Sequence, residues 1–238
     1  MHRPSVSIVM PVRNEAAVIA STLINTLALL GPEDELIVVD GCSSDGTLDI
    51  LQRHTVDYPA LTVLTGHTGR ARQMNAGAAL ARGDVLLFLH ADTLLTAMCW
   101  RALLLAVHGT QPVWGRFDVR IEGRSRSLPM VAWFMNQRSR LTRVCTGDQA
   151  LFLTRTLFQI LGGFPEQPLM EDIELSKRLK ALGSQAKFVP LSTPVFTSGR
   201  RWDEQGPWRT IILMWRLRWT YWRGVPADQL AALYLEVR

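Results

Sequence analysis

The first ninety residues alternate with a regularity that few folds accommodate. Four short runs, SVSIVMP (5–11), ELIVVD (35–40), LTVLT (61–65) and DVLLFLH (84–90), are rich in Val, Ile and Leu and bounded by Gly, Pro or Asp. Segments with helical spacing of apolar residues lie between them, at roughly 16–30, 47–54 and 70–81. Strands that are apolar on both faces and alternate with helices predict a parallel α/β sheet covered on each side. In such sheets ligands collect beyond the carboxyl ends of the strands, where the loops diverge.

Polar residues at those ends are therefore the first candidates for a site. The first strand runs into Pro11, Arg13, Asn14 and Glu15, the second into Asp40 and the loop GCSSDGT, and the fourth into His90 and Asp92. Asp40 and Asp92 have two readings at this point: caps and turn stabilisers, as Asp commonly is, or site residues. Convergence of three strand ends favours the second. Beyond residue 112 the character changes. WGRFDVRIEG (114–123) alternates like a half-exposed strand, a helix is expected near 129–141, and QALFLT resembles another strand. An irregular loop, LGGFPEQPLM, then delivers Glu171 and Asp172 to the start of a new helix. There the pair can cap the helix, supply a general base, or do both.

Composition narrows the partners. Of 238 residues 47% are hydrophobic and 20% charged, enough for a substantial core in one continuous domain. The formal charge of +5 comes from 26 basic against 21 acidic residues, and nearly all the basic ones are Arg. Arginine grips phosphate in two-point fashion, which points to anionic small molecules. No basic block, zinc spacing or stacking motif of a nucleic-acid reader is present, so nucleic acid is not expected as a partner. Three scattered cysteines without a CxxC predict reduced thiols and a cytoplasmic setting. The opening MHRPSVSIVMP lacks the apolar region of a signal peptide, and no run reaches the ~20 apolar residues of a spanning helix.

Taken in order, SIVMPVRNEA, IVVDGCSSDGT, GRARQMNAGAALARGDVLLFLHADT, the GGFPE loop and MEDIELSKRL resemble a family 2 glycosyltransferase over about residues 5–200. The resemblance implies the GT-A fold, a Rossmann-like, mostly parallel α/β sheet flanked by helices, here with a C-terminal helical tail. It implies a nucleotide-sugar-binding half at 1–112, an acceptor-binding half at 113–200 and a basic, aromatic tail at 201–238. HAD, GDQA, MEDIEL and SGRRW together are similar to the bacterial subgroup associated with radical SAM and selenodomain proteins, of arsenosugar biosynthesis type.

The same resemblance distributes roles. Pro11, Val12 and Glu15 are expected to flank the base and ribose of a nucleoside diphosphate sugar, a UDP sugar by family habit, and Asp40 to accept a hydrogen bond from the base. Arg70, Gln73 and Asn75 lie on the stretch that approaches the nucleotide sugar. Asp92 is the expected ligand of Mn2+ or Mg2+, an oxygen donor at the mouth of the sheet. His90 stands where the family's metal motif has its first Asp, and Gly41 where a second Asp is frequent. His90 has three open readings: a nitrogen ligand suited to manganese, a partner of a ribose hydroxyl, or a histidine packed at a strand end. Asp172 is the expected general base and Glu171 an orienting residue, in a single displacement with inversion. Gly147, Asp148 and Gln149 are expected at the acceptor pocket, or else in an ordinary turn. Arg200 or Arg201 is expected to clamp the diphosphate, or else to lie in an exposed basic linker.

The tail PWRTIILMWRLRWTYWRG (207–224) predicts a helix opened by Pro207 and stopped by Gly224. Ile211, Trp215, Trp219 and Trp222 recur at helical spacing beside Arg209, Arg216 and Arg223. Such a face suits core packing, a homodimer contact or a peripheral seat on a membrane. Other functions fit less well. A nucleotidyltransferase would carry a Gly-rich, Lys-bearing opening after the first strand, and a dinucleotide dehydrogenase a G-x-G-x-x-G; neither is present. A catalytically silent nucleotide- or polyanion-binding module, its metal chemistry lost with the Asp replaced by His90, is the alternative from another class.

Overall fold

The computed structural model describes residues 3–109 and 111–236, with side chains through Tyr234. The outer ends of the expected domain, 1–2 and 237–238, lie outside the described residues. Eight strands form one sheet: β1 (Val6–Val12), β2 (Glu35–Asp40), β3 (Leu61–Thr65), β4 (Val85–Phe88), β5 (Thr93–Leu94), β6 (Val113–Glu122), β7 (Phe152–Thr154) and β8 (Lys187–Ser198). Their order is β3-β2-β1-β4-β7-β6-β8-β5. The first four are parallel, as are β6 and β8, while β7 runs antiparallel between β4 and β6 and β5 antiparallel to β8.

The expected strands and helices form because successive side chains leave a strand on opposite faces and both faces are buried. Ile8 and Met10 of β1 and Leu36 and Val38 of β2 pack with Ile19 and Leu23 of α1 (Ile19–Leu27), Leu51 of α2 (Thr47–Asp57) and Leu103 of α4 (Ala97–Ala106). Their neighbours Val9, Ile37 and Val39 pack on the other face with Ala71 and Met74 of α3 (Arg70–Leu80), Leu157 of α6 (Arg155–Ile160) and Leu175 of α7 (Glu171–Ala181). No polar alternation survives in such strands.

β6 corrects one expectation. It alternates between buried and open positions only over its last residues; from Val113 to Phe117 both faces are covered, and Arg116 lies wholly inside, paired with Asp118. The cause is its central position, with β7 on one side and β8 on the other. Helix α5 (Leu128–Thr142) covers it from outside.

The tail forms α8 (Arg200–Gln205), α9 (Pro207–Trp222) and α10 (Ala227–Glu236). Leu217 of α9 and Leu230 of α10 join Met170 and Ile173 of α7 in a small separate core. This differs from the expected apolar face in an instructive way. Ile211 does pack inward, but Trp215, Trp219 and Trp222 are exposed, so they are not core residues. The buried face of α9 is built instead from Leu213, Leu217 and Tyr221, about half a turn round the helix.

Candidate active site

The strand ends converge as expected, but their polar side chains divide into those held by the protein and those left open. Asp40 is buried, and both its oxygens accept from Ser43, Oδ2 from the backbone N–H at 3.0 Å and Oδ1 from the hydroxyl. Each oxygen keeps a second lone pair. Gln73 donates both amide hydrogens to main-chain carbonyls, Val12 at 2.8 Å and Val39 at 2.7 Å, and so ties the ends of β1 and β2 together. Gly41 is explained by the same amide: a Cβ there would lie 2.9 Å from Gln73 Nε2. Asn75 pairs with the main chain of Phe164 in both directions, at 2.9 Å each, and anchors the GGFPE loop. Of the three residues expected along the nucleotide sugar, Gln73 and Asn75 thus have their amides engaged by the protein. Pro11 and Val12 supply backbone at the end of β1.

Glu15, Asp92 and Arg200 meet at the same rim. Arg200 lies 3.6 Å from Glu15 Oε2. Burial raises the Glu15 pKa, Arg200 offsets part of the rise, and the charge of Asp92 adds to it. The Asp92 carboxylate has no hydrogen-bond donor among the described residues, although its backbone carbonyl accepts from Ser198 at 3.2 Å. No group of three or more His, Cys, Asp or Glu side chains able to hold a metal ion occurs among the described residues. A lone carboxylate with open lone pairs still fits a hard divalent cation of the kind that takes its remaining ligands from substrate phosphates and water.

His90 turns away from this rim. Its Nδ1 lies 3.4 Å from Asp148 Oδ1, and its ring rests on Gly147, where a Cβ would come within 2.4 Å of Nε2. That is the geometry of a histidine packed at a strand end, with the Gly147–Gln149 turn as its partner.

The acidic pair sits opposite, at the first turn of α7. Met170, at φ 67, turns the chain through a conformation unusual for a bulky residue; its side chain is held in the small core with Ile173 and Leu217, which offsets that cost. Asp172 Oδ2 accepts the Gly147 N–H at 3.0 Å and Oδ1 its neighbour Ile173 N–H at 2.7 Å. Burial raises the pKa of Asp172 against those two donors and Arg70. Glu171 is buried and without such donors from other residues; burial, reinforced by Asp172, pushes it up to about 7. Both shifts are upward, and the two donors make Asp172 the better-stabilised anion.

Arg70, at the start of α3, faces this group. Much of its surface is open to solvent, yet its guanidinium is crowded enough for desolvation to lower its pKa. The carboxylates of Glu171, Asp148 and Asp172 outweigh that effect and leave it raised. Asp148 is conversely held below its ordinary value: burial acts upward, but the His90 hydrogen bond and the charges of Arg70 and Arg201 prevail. Gly147 lines the pocket between these groups, with Met74, Phe88 and Phe164, and Asp148 beside it stays half-exposed against His90. Gln149 is fully buried, donates to Ser139 Oγ at 3.0 Å, and closes a capping box with Thr146. Arg201 bonds Tyr234 Oη and lies 4.6 Å over its ring, so it meets α10.

Sequence reading missed Arg138 of α5. Two of its guanidinium nitrogens, Nε and Nη2, are buried without a partner, and Asp172 is the first charge to counter its desolvation. One arginine among many carries no signal in sequence; only the packing of α5 singles it out. Cys145, also nearby, is not a nucleophile, because burial pushes its thiol up to about 12.

The model of glycosyl transferase family 2 matches residues 7–160. The chain belongs to this family. It is 27% identical over 240 residues to the probable glycosyltransferase YdaM of Bacillus subtilis, covering 93% of this chain and 55% of that protein. It is 37% identical over 167 residues to a PGL/p-HBAD biosynthesis glycosyltransferase of Mycobacterium bovis, covering 69% and 64%. The chain spans about half the length of the first curated relatives it matches. Among solved structures, the mannosyltransferase PcManGT of Pyrobaculum calidifontis, in complex with GDP-Man and Mn2+, superposes with a TM-score of 0.69 at 23% identity, covering 91% of this chain and 61% of that one. Staphylococcus aureus TarS gives 0.65 at 18%, covering 82% and 60%. These likenesses show the GT-A fold: a mixed sheet flanked by helices.

Proposed function

We propose that the chain moves a sugar from a nucleoside diphosphate sugar, UDP-linked by preference, to an acceptor hydroxyl, with inversion at the anomeric carbon. The observation that carries the reading is Asp172, fixed by two backbone N–H donors at 3.0 and 2.7 Å beside a carboxyl that titrates near neutrality. Residues 1–112 bind the donor, 113–200 the acceptor, and 201–238 close the site.

In this mechanism the acceptor oxygen attacks the anomeric carbon from the face opposite the diphosphate. The bond from that carbon to the diphosphate oxygen breaks, and its electron pair leaves with the nucleoside diphosphate. Asp172 takes the acceptor proton. Burial and the neighbouring Asp172 push Glu171 up to about 7, while two backbone donors favour Asp172 as the ionised member of the pair. Arg70 and Arg138 keep that anion stable across the cleft. Pro11, Val12, Glu15 and Asp40 bound the base and ribose. Gln73 and Asn75 act by holding β1, β2 and the GGFPE loop in place.

Asp92 is the residue that would hold Mn2+ or Mg2+. When bound, the cation supplies positive charge against the departing diphosphate. Arg200 adds a phosphate contact, while Arg201 braces Tyr234. His90 orients Asp148 at the acceptor side, a role that does not call for an Asp at position 90. A bound donor in other members of this fold agrees with the reading: TarS has been captured with UDP and with UDP-GlcNAc. The joint presence of HAD, GDQA, MEDIEL and SGRRW supports the radical SAM- and selenodomain-associated subgroup.

A panel of nucleotide sugars incubated with the protein and Mn2+ tests the proposal. Slow, metal-dependent release of a nucleoside diphosphate from one donor, and a melting temperature raised by UDP with Mn2+, are expected. Neither signal from any donor would leave the silent module as the correct reading.

A further inference from the structure

Helix α9 has two apolar faces, and only one of them is used by the fold. Leu213, Leu217 and Tyr221 pack toward α7 and α10, and Tyr221 Oη donates to Glu174 at 3.2 Å. On the opposite side Trp208, Ile212, Trp215, Trp219 and Trp222 form a single stripe at spacings of four and three residues. All five are between 56% and 79% exposed. Large apolar side chains left in water at this density mark a contact surface.

Charge identifies the partner. Arg209, Arg216 and Arg223 run beside the stripe at seven-residue intervals, and no acidic residue occurs from Pro207 to Pro226. Arg223 lies 4.8 Å over the Trp219 ring. A second copy docked by this face about a two-fold axis would set arginine against arginine, with no carboxylate on either α9 to answer them. A surface of lipid phosphates answers every arginine, and the amphipathic indole ring is favoured at the boundary between headgroups and acyl chains. No described helix is long and apolar enough to cross a bilayer, so the contact is peripheral. Trp133 and Phe134 of α5 are also exposed; Met135 of that helix and Ile211 of α9 each pack against the main core.

We propose that the outer face of α9 docks on an anionic membrane surface, tryptophans inserted and arginines on lipid phosphate. The inner face of the same helix packs on α7, which carries Glu171 and Asp172, so docking places α9 between the lipid and the helix of the acidic pair. This reading does not depend on which donor the enzyme uses.

Sedimentation of the full chain with vesicles tests it, using phosphatidylcholine alone and phosphatidylcholine mixed with phosphatidylglycerol, at low and raised salt. Expected are cosedimentation with the anionic vesicles, a blue shift of tryptophan emission on binding, and weakening at high salt. Trp215→Ser with Trp219→Ser should abolish the blue shift and weaken binding about tenfold or more. Arg216→Glu with Arg223→Glu should weaken it about fivefold per arginine or more. Unchanged melting curves confirm that these exposed positions leave the fold intact. The proposal is overturned by absence of binding to anionic vesicles at low salt, or by binding that the tryptophan pair does not affect. It is overturned equally by a concentration-dependent dimer whose tryptophan emission is already blue-shifted without lipid, which would assign the face to a second copy.

Discussion

Two acidic clusters border the cleft, and they are built on opposite plans. Near the ends of β1 and β4, Glu15 and Asp92 approach each other with Arg200 beside Glu15, and the Asp92 carboxylate has no hydrogen-bond donor among the described residues. At the start of α7, Asp172 is gripped by two backbone N–H groups and faced by Arg70, while Glu171 is buried beside it. The same residue type is therefore prepared for different work. A carboxylate whose lone pairs are satisfied by fixed amides stays ionised in one orientation, which is what proton abstraction needs. A carboxylate without donors keeps its lone pairs for a cation that arrives with the substrate.

Exchanging charge for its neutral isostere sharpens this contrast. Asp92→Asn should lower metal-dependent turnover by about a thousandfold and remove the stimulation by Mn2+, since one charge-stabilising group at the leaving group carries that much. Steady-state rates across a manganese titration measure it, and retained metal stimulation would break the distinction between the clusters. Gly147→Ala should cost about a hundredfold in kcat, because a Cβ 2.4 Å from His90 Nε2 displaces either the imidazole or the loop whose N–H fixes Asp172. Full activity in that variant would show that the acceptor-side geometry is not needed.

The smallest expected effect is on stability. The folded-state pKa of Glu171 lies above its unfolded value, so between the ordinary carboxylate range and about 7 the native state binds more protons than the unfolded one. Stability contributed at this site is accordingly present at low pH and lost as pH rises through about 7. Glu171→Gln should therefore stabilise the protein by on the order of 1–3 kcal/mol at pH 8 and by little at pH 5. Thermal melts of the two proteins across that range check the sign, and a gain confined to low pH would reverse the assignment of the proton.

Much of the fold was legible because buried parallel strands admit little but apolar residues: β2 and β3 fall where the sequence places them, and β1 and β4 within two residues. The short β5 and α6, too brief for periodicity to register, were not. At the site, residue types were legible and partners were not. Nothing in the sequence tells that Gln73 will reach the carbonyls of Val12 and Val39, 61 and 34 residues away, or that Gln149 will turn inward while Asp148 beside it stays half-exposed against His90. The periodicity of α9 identified an apolar stripe but not its destination, because Leu213 and Leu217 offered the fold a second one.

The account rests on Asp172 as the group that receives the acceptor proton. Asp172→Asn preserves the size of the side chain and one oxygen acceptor while removing the base. Calorimetric titration of the donor beside single-turnover transfer should show donor affinity within a fewfold of the parent and transfer reduced by about 10²–10⁴. Transfer that persists near the parent rate, with donor binding equally intact, would contradict it.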